Sequence, residues 1–168
     1  MESSDISAHI PRLRRYARAL AGDGHRADDL VQDTLERGLA KFHLWQRGSD
    51  LRAWLFTIMH NVFVNQLKSR REFELDDAAE AALQSSPQSD PLEMRDLDAA
   101  LQLLPAEQRE VLLLVGLEQL SYAETGKALG IPIGTVMSRL SRGRERLRAL
   151  ISSEAKGPAV KNNIKAVK

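Results

Sequence analysis

The chain has no cysteine among its 168 residues. A disulfide scaffold, a thiol nucleophile and every Cys-ligated zinc or iron–sulfur site are thereby excluded. The absence fits a reducing cytoplasm, where the protein is expected to reside. Aromatic residues are scarce, at 5%, so the core must be built mainly from Leu, Ile, Val and Ala. Long apolar runs are missing too. The longest, Val111 to Leu117, falls far short of the ~20 residues that cross a bilayer. The opening residues, MESSDISAHI, carry neither the basic start nor the apolar centre of an export signal, so no direct membrane contact is expected. Strand signals are lacking, with no alternating β-branched run and no Asn-Gly or Asp-Gly hairpin. His9, His25, His43 and His60 are dispersed, and no HExxH, GxSxG or phosphate-binding glycine loop occurs. Asp28-Asp29 and Asp76-Asp77 are adjacent pairs, which diverge on a helix and make poor acid/base dyads. The expectation is a protein without catalytic residues, metal or cofactor.

Charge is abundant and nearly balanced, 24 Lys and Arg against 23 Asp and Glu, for a formal +1. As a mean this argues against a nucleic-acid partner, but the placement is uneven. Residues 1–71 carry +4, residues 72–98 carry −8, residues 99–153 carry +2 and residues 154–168 carry +3. Two mildly basic modules are thus joined by an acidic segment in which Ser-Ser-Pro and Asp-Pro interrupt helices. Residues 73–91 read as a linker, with room for a short helical turn at Asp76–Leu83. The tail from Glu154, containing Gly157-Pro158 and Asn162-Asn163, reads as frayed. The fold class expected is all-α: two small helical domains joined by an acidic flexible linker, the second a helix-turn-helix.

In the first module Ile6, Ile10, Leu13, Ala17 and Leu20 recur at steps of three and four, the period of one amphipathic helix ended by Gly22 and Gly24. A second helix starts near Ala27-Asp28-Asp29, where acids suit the positive end of the helix dipole. Its apolar stripe is Val31, Leu35, Leu39 and Phe42, and its opposite side is mainly acidic, with Asp28, Gln32, Asp33 and Glu36. A third helix is expected from about Asp50 to Arg71, with Leu51, Leu55, Ile58 and Val62 facing the core. Trp54, Asn61, Asn65 and Lys68 fall close to one line on another face, and the helix ends in Lys68-Ser69-Arg70-Arg71. An indole can stack on a base, carboxamides can pair with exposed base edges, and the cations can hold phosphates. The same pattern is also compatible with Trp54 as core packing beside merely exposed amides.

The second module carries the more specific signal. Residues 97–116 give two apolar helical segments broken at Pro105, which suits the first position of a helix. A turn follows at Gly116-Leu117-Glu118. In SYAETGKALGIPIGTVMSRLSRGRERLR, Ser121 and Glu124 form a capping box and Leu129-Gly130 ends the helix so begun. A further helix starts near Pro132. Ala123, Ala128, Ile131, Val136 and Leu140 have the spacing of a helix-turn-helix interior. Thr135, Ser138, Arg139, Ser141 and Arg142 then project where such a helix meets base edges and phosphates in the major groove.

Together the modules resemble the extracytoplasmic function (ECF) group of bacterial sigma factors. The resemblance rests on DDLVQDTLERGLA (28–40), LRAWLFTIMHNVFVNQLKSRR (51–71), LPAEQREVLLL (104–114) and LSYAETGKALGIPIGTVMSRLSRGRERLR (120–148). It implies that residues 1–72 dock on core RNA polymerase and read the minus-ten element. Residues 73–93 would be the acidic linker, 94–153 the module that reads the minus-thirty-five element, and 154–168 a basic disordered tail. It further implies that Asp28, Asp29, Gln32, Asp33 and Glu36 meet the polymerase clamp helices. Trp54, Asn61, Asn65, Lys68, Arg70 and Arg71 would melt and read the minus-ten strand, with a flipped base held near Asn65. Thr135, Ser138, Arg139, Ser141 and Arg142 would read the minus-thirty-five duplex. The implied partners are core polymerase through its clamp helices and flap, promoter DNA, and an anti-sigma factor. Two positions depart from the family's usual pattern: Met137 replaces a frequent Lys or Arg, and Thr125-Gly126 replaces an apolar residue plus Ala.

Two other readings compete. A conventional helix-turn-helix regulator would need a ligand pocket or dimer face in the first module. A sigma mimic that sequesters an anti-sigma protein would keep the docking face but could lose its DNA readers. The near-neutral charge discriminates, because weak overall attraction to DNA suits a factor delivered by polymerase. In a gel-shift assay at physiological salt, the free protein is expected to bind duplex promoter DNA poorly. Strong, sequence-specific binding without polymerase would favour the regulator instead.

Overall fold

The computed structural model describes the backbone of residues 2–76 and 92–166 and the side chains of residues 5–73 and 96–153. Among the described residues there are eight α-helices and no strand. They are α1 (Glu2–Ser7), α2 (Ile10–Ala21), α3 (Gly24–Ala40), α4 (Leu51–Asp76), α5 (Leu92–Leu103), α6 (Ala106–Leu112), α7 (Tyr122–Leu129) and α8 (Ile133–Ala166).

The single N-terminal helix expected from periodicity is in fact two, α1 and α2. Pro11 sits in the first turn of α2 and has no N–H to extend a ladder from the preceding turn, so the chain must restart there. Gly22 ends α2 at φ 74° with its N–H on the Arg18 carbonyl. α3 begins at Gly24 rather than near Ala27, because Asp23 caps it: its Oδ1 accepts from the His25 N–H at 3.2 Å. Asp50 does the same for α4, accepting from the N–H groups of Arg52 and Ala53. α3 packs between α2 and α4. Leu13, Tyr16, Leu20, Leu30, Leu55, Met59 and Val62 are buried among these helices, and the Tyr16 ring meets Phe56 edge-on at 4.9 Å.

α4 runs five residues past the expected end at Arg71, into the segment read as linker. No proline, glycine or capping residue interrupts Glu72-Phe73-Glu74-Leu75, so the helix continues. The rest of that linker, including most of its expected turn, lies outside the described residues. α5 starts at Leu92, two residues before the expected module boundary. The tail also differs from expectation. Residues 152–156 hold no helix breaker, and α8 continues through Gly157-Pro158 to Ala166, where the proline costs a hydrogen bond without ending the helix.

In the second module Pro105 is the cap just before α6, one position outside the expected site, with its extended ψ of 143° setting the break from α5. The turn at Gly116 is part of a π-helical turn, Leu113–Leu117, in which the Glu118 N–H reaches back five residues to the Leu113 carbonyl. Gln119 follows at φ 58°, reversing the chain so that Leu120 enters the core and Ser121 opens α7.

The two modules do not stand apart. α4 packs on α7, and α2 packs on α5 and α6, so one cluster of buried apolar residues extends from Ile6 to Leu140. Arg109 of α6 holds this junction. Its Nε donates to the Leu101 carbonyl, Nη2 to those of Gln102 and Leu104, and Nη1 to that of Leu20, at 2.8–3.1 Å. One cation thus meets the carbonyl-rich ends of α5 and α2, where the helix dipoles are negative. Burial lowers the pKa of Arg109, against the opposing pull of Glu110, and a guanidinium remains charged despite such a shift. Tyr16 is pushed the other way: burial first, then the Glu110 and Glu118 carboxylates, hold its pKa well above 10.

Replacement of Arg109 by Lys is expected to lower stability by about 2–4 kcal/mol, because an ammonium cannot serve four divergent carbonyls. Urea unfolding measures this, and a loss below about 0.5 kcal/mol would refute the clamp. On alkaline titration the folded protein retains the Tyr16 proton that the unfolded chain releases near pH 10. This contribution to stability is whole below that pH and is lost as pH rises above it. The expected spectrum shows no Tyr16 phenolate until the fold is lost.

Candidate polymerase and nucleic-acid interface

Three helical faces carry the residues singled out above. On α3, Asp28, Asp29, Gln32 and Glu36 are exposed. Asp33 is half-buried, its Oδ2 accepting from Gln66 Nε2 of α4 at 3.0 Å. The acidic face is therefore real, but one of its members is turned inward to tie α3 to α4.

On α4, Asn61, Asn65, Lys68 and Arg71 are exposed, and Arg70 is half-buried. Trp54 does not stand free with them. It is half-buried and packs against the core, its ring edge-on to Phe42 at 6.4 Å, and Trp45 also lies 5.4 Å from Phe42. The indole belongs mainly to an aromatic cluster that shapes the α3–α4 loop. Between α3 and α4 lies an open groove of about 650 Å³, lined by Asn65 together with Arg26, Arg37, Asp29, Asp33 and Arg70. Arg26 and Arg37 are interspersed with acids along α3, so the sequence gives no cationic cluster there, and only the packing of α3 on α4 brings them near Asn65.

The helix-turn-helix has the caps its sequence implies, and Ala128, Val136 and Leu140 are buried, but Ala123 is exposed and Ile131 only half-buried. Ser121 Oγ accepts from the Glu124 N–H at 3.0 Å, and Glu124 Oε1 accepts from the Ser121 N–H at 3.2 Å. Gly130 takes φ 68°. Gly126 has a steric reason. A Cβ there would lie 2.8 Å from the Ile131 carbonyl oxygen, and the Ile131 N–H bonds the Gly126 carbonyl at 2.9 Å. The departure from Ala thus permits the close approach of the turn after α7. On α8, Ser138, Ser141 and Arg142 are exposed and Thr135 is half-buried. Arg139 is half-buried, with Nη2 3.8 Å from Glu107 Oε2, which links α8 to α6.

Residues that the sequence did not single out hold the modules together around these faces. Glu118, 2% exposed, accepts through Oε1 from Arg15 Nη2 at 3.2 Å, and its carbonyl accepts from Arg52 Nη1 at 3.0 Å. Glu110, 5% exposed, lies 2.7 Å from His60 Nδ1. Gln102 Nε2 donates to the Ala19 carbonyl. Their partners lie 50 to 103 residues away in sequence, and no local pattern reveals such pairs.

A capped helix-turn-helix, its second helix basic and exposed, joined to a helical module with an outward amide row, defines an all-α DNA-binding protein of transcription. Residues 6–60 match the family model described as the sigma2 domain of PhyR, and residues 94–147 match sigma-70 region 4. The chain is 47% identical over 150 residues to the ECF RNA polymerase sigma factor EcfG of Rhodopseudomonas palustris, covering 88% of this chain and 83% of that one. It is 31% identical over 150 residues to the RNA polymerase sigma factor CarQ of Myxococcus xanthus, with 87% and 86% covered. Among solved structures it resembles the sigma factor RpoE of Bartonella quintana, in complex there with the anti-sigma factor NepR, at a TM-score of 0.78 and 38% identity over 89% of this chain and 96% of that one. The chain belongs to the ECF RNA polymerase sigma factors, DNA-binding regulators that direct transcription initiation. No helix among the described residues is long and apolar enough to cross a membrane.

Because the capping box satisfies two N–H groups of α7, Ser121→Ala is expected to lower stability by about 1 kcal/mol. Thermal unfolding checks this, and an unchanged midpoint would show that the cap contributes nothing.

Proposed function

We propose that the three faces divide the work of promoter recognition. The exposed acids of α3, Asp28, Asp29 and Glu36, with Gln32, dock on the polymerase clamp helices, while Asp33 braces α3 against α4. Asn61, Asn65, Lys68, Arg70 and Arg71 engage the melted minus-ten strand, with half-buried Trp54 shaping the neighbouring loop. Ser138, Ser141 and Arg142 read the minus-thirty-five duplex, and Thr135 and Arg139 position the helix that carries them. The observation that carries this reading is the simultaneous exposure of the α4 amide row and the polar α8 row, each on a helix fixed by packing on its other side. The protein works in the cytoplasm, and an anti-sigma factor engages it, as NepR engages the similar RpoE. Retention of both sets of DNA readers favours an active factor over a mimic.

The packed arrangement cannot read both elements at once. The two elements are about 25 base pairs apart by their names, or about 85 Å along the duplex. A compact chain of 168 residues has a radius of gyration of only about 15 Å. The modules must therefore separate on polymerase, breaking the contacts of Arg109, Glu110 and Glu118 across the junction.

In a run-off assay the protein is expected to make core polymerase initiate at specific promoters, and Asn65→Ala to impair melting more than polymerase binding. Run-off at the core-only level on every promoter of a genomic library would overturn the reading. The absence of native cysteine makes the opening measurable. Dyes on Arg18→Cys of α2 and Ala99→Cys of α5, exposed positions on helices packed across the junction, should lose energy transfer when core polymerase binds.

A further inference from the structure

Two large apolar side chains stand exposed at the start of α8. Ile133 is 49% exposed and Met137 52% exposed. Four residues apart, they share one row of the helix, which Ser141 continues. Ser138 and Arg142, also four apart and exposed, form the adjacent row. The row beside the pair, Val136 and Leu140, is buried and packs α8 on the core, whereas Ile133 and Met137 are left about half exposed at its edge. The surroundings favour an anionic partner: exposed Arg142, Arg144, Arg146 and Arg148 follow along the same helix, with Glu145 the single acid among residues 142–148.

A surface that is apolar at its tip and cationic along its flank matches the major groove of duplex DNA better than an apolar protein groove. Phosphates line the groove, and the apolar group presented on its floor is the 5-methyl of thymine. A lysine or arginine at position 137 would seek a phosphate or the N7 and O6 of guanine. Methionine can do neither, but its unbranched, polarisable side chain adapts well to a methyl group.

We propose that Met137, flanked by Ile133, is a specificity-determining residue that recognises thymine by its 5-methyl group within the minus-thirty-five duplex. Ser138 and Arg142 make the polar contacts beside it. The proposal rests on the assignment of α8 as the reader of that duplex. It gives the departure of Met137 from the basic residue frequent in the family a positive function, a preference for thymine in place of a phosphate or guanine contact.

The test uses the full-length protein assembled with core polymerase. Duplexes with a randomised minus-thirty-five region are selected by holoenzyme binding, and the enriched sequence is resynthesised with deoxyuridine replacing thymine one position at a time. This removes a methyl group and nothing else. At one position or more the wild-type holoenzyme should bind the uracil duplex about fourfold more weakly, the value of burying one methyl. Met137→Ala, at an exposed position that leaves the fold intact, should bind both duplexes equally. Met137→Lys should also lose the discrimination and show a steeper salt dependence, from one added phosphate contact. Uracil discrimination that persists in Met137→Ala, or is absent from the wild type at every thymine, overturns the proposal and leaves the apolar pair to a protein partner. The underlying assignment fails separately. If Arg142→Ala enriches the same sequence as wild type to the same extent, α8 is not the reader, whatever Met137 does.

Discussion

The packed molecule depends on one electrostatic constraint, the need to satisfy the carbonyl-rich ends of two helices that meet at the junction of the modules. α2 and α5 both point their C-termini into this region, and each leaves carbonyls that its own ladder cannot bond. Arg109 answers both with one guanidinium, whose planar fork reaches Leu20 on one side and Leu101, Gln102 and Leu104 on the other. The position of α6, and of the helix-turn-helix that α6 supports through α8, follows from that placement. Gln102 adds to it by bonding the Ala19 carbonyl beside Gly22, where a side chain would collide with it.

The rest of the junction is unusually polar for a buried surface. Glu110 and Glu118 are almost wholly enclosed, and each is met by a cationic or titratable side chain of the other module, His60 for the first and Arg15 for the second. Such pairs contribute less net stability than apolar packing of the same size, because desolvation offsets much of the attraction. They do fix register, since a displaced carboxylate would be buried without a partner. They also ease separation, since charged groups regain hydration when exposed. A junction of this kind suits modules that pack in one orientation and still come apart on polymerase, as the promoter spacing demands of the proposed mechanism.

Much of the helical architecture was legible in the chain. The core stripe of α4, the Ser121–Glu124 box, the left-handed Gly130 and the buried Val136 and Leu140 follow from periods and caps that act within a few residues. Elsewhere one local signal overrides another. Pro11 divides a helix whose apolar period runs straight through it. Asp23 starts α3 a turn early, and α8 passes the Gly157-Pro158 pair. The candidate faces were legible as rows, but the state of each member was not: Trp54 turns toward Phe42, Asp33 toward Gln66 and Arg139 toward Glu107.

By itself the sequence determined an all-α chain of two helical modules, a capped helix-turn-helix, and the placement of acids, amides and arginines along three helix faces. These properties depend on backbone hydrogen bonds and side-chain periodicity over at most a few turns. Only the tertiary structure decided that the modules pack together, that Glu110 and Glu118 are buried between them, and that Met137 faces outward while its neighbour Val136 does not touch water. Those outcomes rest on contacts between residues as much as 103 positions apart. A carboxylate or a thioether looks the same in the sequence whether a distant helix covers it or not.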